Sequence, residues 1–271
     1  MDPVVSQVEV DGLRLAYRRT GTGPPLVLLH GGLSDSRDWT GQLASLRDSF
    51  DLVAWDAPGC GGSDDPPRGW RASDYGDALA RFVAALGLGR PHVLGISWGT
   101  VLALELWQGH PDVPASLVLA SAYAGWAGSL PPEEVQRRVE SVLRDLDRPL
   151  PDVAAEWAPT LLSPAATPAM VAASVAGLAD VHPEGTRVML AAFARADYRS
   201  VPPTITVPTL FLHGAADVRA PLDSVRAMHQ AVPDAQLVVL PGAGHLANVE
   251  AAGRRQREPG FDLRSVRLGF L

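Results

Sequence analysis

Pro91-His-Val-Leu-Gly-Ile-Ser97-Trp-Gly-Thr100 runs directly into Val101-Leu-Ala-Leu-Glu-Leu-Trp-Gln-Gly-His110. The first half is a short apolar run of buried-strand type, and the second carries apolar residues at helical spacing. Between them, Gly95-Ile96-Ser97-Trp98-Gly99 forms a G-x-S-x-G pattern. A chain that passes from strand to helix in so few residues must turn tightly and strain the central residue. The flanking glycines remove the Cβ atoms that would clash in that bend. The turn lifts the Ser97 hydroxyl to the sheet edge. It also places the next backbone N–H, that of Trp98, at a helix N-terminus, where developing negative charge is stabilised. This reading predicts an α/β fold that presents Ser97 as a nucleophile.

The bulk properties agree with one α/β unit carrying an insertion. The chain has 271 residues, 46% of them hydrophobic and 20% charged, enough to bury a substantial core. Net charge is −7, which argues against nucleic acid or an anionic membrane as the partner. All 23 cationic residues are arginine. The single cysteine, Cys60, excludes an internal disulfide framework and points to a reducing compartment. Met1–Val10 is acidic and lacks an apolar core of signal-peptide length, and no stretch approaches 18 apolar residues. The expectation is a cytoplasmic protein, monomer or homodimer.

Asp11-Gly12 between Val8–Val10 and Leu13–Arg18 is a hairpin signal. Leu26–Leu29, Phe50–Trp55, Ala115–Ala120, Thr209–Leu212 and Gln236–Leu240 read as further strands. Helices are expected near Trp39–Leu46, Asp74–Leu86 and Leu222–Ala231. Strand–helix alternation stops between Ala122 and about Ser200. There Pro131–Leu146, Met170–Ala179 and Thr186–Ala194 read as helices separated by Pro-rich joints. This divides the chain into a first core part, residues 1–121, a helical cap, 122–200, and a second core part, 201–271.

A serine hydroxyl needs a base to take its proton and an acid to orient that base. Two consecutive strands end in loops that supply them, His213-Gly-Ala-Ala-Asp217 and Pro241-Gly-Ala-Gly-His245. In a parallel sheet those ends share an edge with Ser97. Among the other histidines, His92, His110, His182 and His229 fall away from that edge. His213 is a rival base but precedes Asp217 in the same loop, which suits a structural role. His30, Asp56 and Cys60 read respectively as a loop hydrogen-bonder, an orderer of its own loop, and a buried spectator thiol.

Together His30-Gly-Gly32, Asp56-Ala-Pro-Gly-Cys-Gly-Gly-Ser63, Gly95-Ile-Ser-Trp-Gly99, Asp217 and Gly244-His245 resemble the α/β-hydrolase superfamily over nearly the whole chain. The resemblance implies a mostly parallel eight-stranded sheet flanked by helices, with the cap between strands six and seven. It implies Ser97 as nucleophile, His245 as base and Asp217 as orienting acid. The oxyanion hole falls on the amides of Trp98 and Gly32, with Leu33 as the fallback. No metal or organic cofactor is implied. The implied reaction is hydrolysis of a small ester or lactone. One alternative is a proline iminopeptidase-like activity, with the substrate amine held by a cap acid such as Glu133, Glu134, Glu156 or Glu184. Another is a noncatalytic binder. Leu33, Trp126 and Trp157, with Met170 and Met189, are candidates for the substrate pocket. After His245 the family's last helix is interrupted by Gly253, Arg254-Arg-Gln-Arg257 and Pro259-Gly260, which predicts a loosely packed terminus.

Overall fold

A computed structural model describes residues 3–251; the expectation for the C-terminal tail lies outside the described residues. Strands β1 (Val5–Val10) and β2 (Leu13–Thr20) form the opening hairpin, with Val10 opposite Leu13. Asp11 and Gly12 both take positive φ, 51° and 81°, the conformation that a two-residue hairpin turn needs to match strand twist.

Strands β3 (Pro25–Leu29) and β4 (Asp51–Trp55) follow, with the short helix α1 (Thr40–Ser45) between them. Helix α2 (Ala72–Ala85) leads to β5 (His92–Ile96), which feeds helix α3 (Trp98–Gly109) through Ser97 alone. After β6 (Ser116–Ala120) come five helices: α4 (Trp126–Ser129), α5 (Pro132–Asp145), α6 (Leu150–Leu161), α7 (Pro168–Ala179) and α8 (Pro183–Arg195). Alternation then resumes with β7 (Thr209–Gly214), α9 (Leu222–Ala231), β8 (Gln236–Leu240) and α10 (Ala247–Ala251).

The eight strands form one sheet in the order β1-β2-β4-β3-β5-β6-β7-β8. Both pairings of β2 are antiparallel, and all pairings from β4 through β8 are parallel. The central strands read as continuous apolar runs because both faces are covered. Alternate residues serve opposite cores. Val27, Leu29, Val93, Leu117 and Phe211 pack on the face shared with α2 and α3. Leu26, Leu28, Leu94, Val118 and Leu210 pack on the other, against Leu43 and Trp39. The chain leaves β3 toward β4 and returns to place β5 on the opposite side of β3. Ser97 therefore lies at the reversal of strand order, where the carboxyl ends of parallel strands leave a crevice.

Two expectations need correction. Helix α6 stands where Pro-rich joints were expected, and it contains Pro151 and Pro159. Pro151 lies in the first turn, where no intrahelical N–H bond is lost, and Pro159 lies in the last turn. Strand β7 also runs two residues further than expected, because His213 and Gly214 continue the ladder opposite Val239 and Leu240.

Candidate active site

Ser97 has φ 53° and ψ −115°, the strained conformation expected of the turn. The fit around it is close. A Cβ on Gly95 would lie 2.2 Å from the Gly99 carbonyl oxygen, and one on Gly99 would lie 2.2 Å from that of Leu29. Only glycine passes at either position. The Ser97 N–H donates to the Ala120 carbonyl at 2.9 Å, and its carbonyl accepts from the Thr100 hydroxyl at 2.6 Å.

Asp217 and His245 meet at the same edge. His245 Nδ1 lies 2.9 Å from Asp217 Oδ2, and both side chains are buried. Asp217 Oδ1 accepts from the backbone N–H groups of Arg219 and Ala220 at 2.8 and 3.0 Å. Burial alone would raise this carboxyl. The adjacent imidazole and the two amides outweigh it and hold the group at about 2. Since Asp217 is then a carboxylate, His245 Nδ1 carries the proton and donates it, which leaves Nε2 bare. His213, the rival base, has its Nδ1 4.0 Å from Asp217 and without a hydrogen bond. Burial pushes its pKa down, so it remains neutral.

Two contacts that the sequence did not reveal fix the histidine loop. The Ser121 hydroxyl, on a residue with φ 45°, donates to the His245 carbonyl at 2.9 Å. The buried Glu250 carboxylate accepts from the Gly244 N–H at 2.6 Å and from the Ser163 N–H at 3.0 Å.

Ser97, His245, Gly31 and Gly32 line one cavity of about 80 Å³. Leu33, Trp126, Trp157 and Met189 line it too, whereas Met170 packs against the far core. Gly31 abuts Ser97, with its missing Cβ 3.7 Å from Ser97 Cβ. The Trp98 side chain is buried under the turn against Tyr75. His30 secures the adjacent loop: its Nε2 accepts from the Ala57 N–H at 3.0 Å, so its Nδ1 donates to the Gly31 carbonyl at 2.7 Å. Asp56 orders the neighbouring turn by accepting from Ser36 N–H and Gly62 N–H. Cys60 is a buried thiol whose pKa burial pushes up, which removes it as a nucleophile.

None of Glu133, Glu134, Glu156 and Glu184 lines the cavity. Glu134 is held by Arg137 and Arg138, Glu156 by Arg148, and Glu184 by Arg68 and Arg187. The cavity instead receives Arg138, Arg219 and one acid, Asp38, which no sequence signal marked. Asp38 Oδ2 is buried without a hydrogen-bond partner, and burial raises the carboxyl to about 6. Among the described residues, no cluster of three or more His, Cys, Asp or Glu could hold a metal ion, and no helix is long and apolar enough to cross a membrane.

Residues 24–252 match the family described as alpha/beta hydrolase fold. The chain is 29% identical to the pimeloyl-(acyl-carrier protein) methyl ester esterase of Nitrosomonas europaea, over 83% of this chain and 90% of that protein. The solved structure of a thermophilic esterase from Thermogutta terrifontis is 28% identical with a TM-score of 0.81, covering 91% of this chain and 92% of that one. The enol-lactonase from Burkholderia xenovorans LB400 is 25% identical with a TM-score of 0.82, covering 91% and 95%.

Proposed function

The chain belongs to the α/β-hydrolase family, and from that premise we propose that it is a serine hydrolase cleaving a small carboxylic ester or lactone through an acyl-enzyme. One observation carries the reading: a strained, cavity-facing Ser97 shares its cavity with a His245 whose other nitrogen is held by Asp217.

Ser97 Oγ attacks the substrate carbonyl carbon while His245 Nε2 takes its proton. Asp217 keeps the ring in the productive tautomer and stabilises the imidazolium as it forms. Negative charge on the carbonyl oxygen is received by the Trp98 N–H, at the start of α3, and by the Gly32 N–H, with Leu33 as the alternative donor. The imidazolium then protonates the leaving alkoxide. Water, deprotonated by the same nitrogen, cleaves the acyl-enzyme. No metal or organic cofactor takes part in this sequence.

Residues 122–200 act as the cap, with Leu33, Trp126 and Trp157 shaping the substrate pocket. The aminopeptidase alternative is disfavoured because none of the four cap glutamates lines the cavity, and Glu134, Glu156 and Glu184 are already engaged by arginines. The esterase and lactonase relatives support acyl transfer to water. The buried lone thiol suits a cytoplasmic enzyme, acting as monomer or homodimer on a small molecule.

The test is labelling with a fluorophosphonate, followed by turnover of p-nitrophenyl esters of several chain lengths beside aminoacyl-nitroanilides. Labelling lost in Ser97→Ala, with turnover confined to the esters, is the expected result. A folded protein that neither labels nor turns over any ester would sink the reading.

A further inference from the structure

Two guanidinium groups face the cavity that holds Ser97 and His245: Arg138 from α5 and Arg219 from the loop after β7. Their bonding differs. Arg138 is neutralised by Glu134, to which its Nε donates at 2.6 Å, and it also donates to the Tyr123 hydroxyl. Arg219 forms no ion pair among the described residues. One of its five N–H donors reaches the Thr160 hydroxyl at 3.3 Å, and its guanidinium lies over the Trp157 ring, 5.1 Å from the centroid.

The base of that side chain is firmly held. The Arg219 N–H donates to Asp217, and its carbonyl accepts from the Tyr123 hydroxyl at 2.5 Å and from Arg138 at 3.2 Å. A fixed stem thus carries a cation with unused donors. Burial pulls its pKa below the ordinary guanidinium range, an effect that Tyr123 and Asp217 offset only in part and that Arg138 and Arg137 reinforce.

Arg219 also stands where the cavity meets an open groove of about 560 Å³ across α5 and α6. Cavity and groove share Arg138 and Arg219, and Arg137, Arg144 and Arg148 complete the groove's wall against two acids, Asp145 and Glu156. Arg137 and Arg138 are already paired with Glu134, and Arg148 with Asp145 and Glu156, which leaves Arg219 and Arg144 as the groove's cations without a carboxylate partner among the described residues. The rest of the cavity wall is largely apolar, with Val142, Leu161, Leu178 and Phe193, which suits a hydrocarbon skeleton.

We propose that the substrate cleaved at Ser97 carries a free carboxylate, which enters across the arginine-lined groove and docks on Arg219. The proposal rests on the hydrolase reading of Ser97 and adds to it a substrate class, carboxylate-bearing esters or lactones. A carboxylate supplies the counter-charge that Arg219 lacks and matches the fork of a guanidinium stacked on Trp157.

Three measurements test it. The first compares mono-p-nitrophenyl esters of succinate, glutarate and adipate with p-nitrophenyl esters of the unsubstituted acids of equal length. At low salt the wild type should favour the half-esters in kcat/KM by about tenfold or more, the worth of a charge-assisted hydrogen bond. The second is Arg219→Gln, which should collapse that ratio through a higher KM, while Arg219→Lys keeps part of it. The third is calorimetric binding of glutarate beside glutaramide to wild type and Arg219→Gln, which needs neither turnover nor a folded variant to read the wild-type preference. No half-ester preference together with equal binding of glutarate and glutaramide would overturn the proposal. Arg219-dependent glutarate binding in a protein that no fluorophosphonate labels would instead uphold the carboxylate site and reject the hydrolase reading.

Discussion

Gly214 and Gly244 pass so close that a Cβ on the first would stand 2.2 Å from the carbonyl oxygen of the second. Gly214 ends β7, three residues before Asp217, and Gly244 immediately precedes His245. The two loops can deliver acid and imidazole to one point because neither side chain exists there. Gly214→Ala should therefore displace the His245 loop, since the obstructing atoms are backbone and cannot swing aside. The expected cost is on the order of 3 kcal/mol or more in stability. The loss in kcat should exceed the loss of folded protein, as read by denaturant titration beside active-site titration.

Asp217→Asn should leave the fold intact and lower kcat by a factor on the order of 10⁴, by analogy with the serine-protease case, because the amide favours the wrong imidazole tautomer. The wild-type carboxyl, held at about 2, contributes stability above its unfolded pKa of about 4 and loses it as pH falls through 2. Asp217 thus stays ionised throughout the neutral range, and no acid limb of kcat/KM above pH 4 arises from it. Near-wild-type kcat in a folded Asp217→Asn protein would move the acid elsewhere.

Asp38 behaves in the opposite sense. Its carboxyl is raised to about 6 by burial, above its unfolded value of about 4, so folding favours the protonated form. That contribution is complete below pH 4 and is lost as pH rises through 6. Asp38→Asn should gain stability relative to wild type across this window, by up to about 3 kcal/mol at pH 7.5. Urea titrations from pH 4 to 8 measure the difference, and parallel curves for the two proteins would refute it.

Trp126 is buried at the cavity wall, 5.0 Å from Phe193 between ring centroids. Trp126→Ala should enlarge the pocket and shift relative kcat/KM toward longer acyl chains, at a stability cost of about 3 kcal/mol. A uniform change for every chain length would return Trp126 to a purely structural role.

The parts of this molecule legible in its sequence are those governed by local rules. The strand, serine and helix of residues 92–109, the Asp11-Gly12 hairpin and the spans Leu222–Ala231 and Gln236–Leu240 each follow from spacing, turn chemistry and period. Helix α6 was hidden because proline reads as a breaker, whereas Pro151 in the first turn costs no intrahelical N–H bond and Pro159 costs one only near the helix's end. The meeting of Asp217 with His245 was inferable from strand-end logic. The roles of Ser121 and Glu250 were not, since each acts on a backbone group more than 80 residues away (His245 and Ser163, respectively). The pairing of Arg138 with Glu134 follows from their i,i+4 spacing on one helix, whereas Arg219 looked like any of 23 arginines until the fold set it at the cavity with no carboxylate partner among the described residues.

Glu250 joins the Gly244 amide to Ser163, and the Leu246 N–H donates to the Leu161 carbonyl at 2.9 Å. The segment bearing His245 is thus stitched to the end of α6 as well as to the sheet. A chimera that exchanged these helices for those of a relative would alter more than the cavity wall they line. It would remove one anchor of the His245 loop unless the graft brought a matching N–H and hydroxyl to position 163, both of which donate to Glu250. Transplants cut after that junction should behave as modules, and transplants cut before it should not.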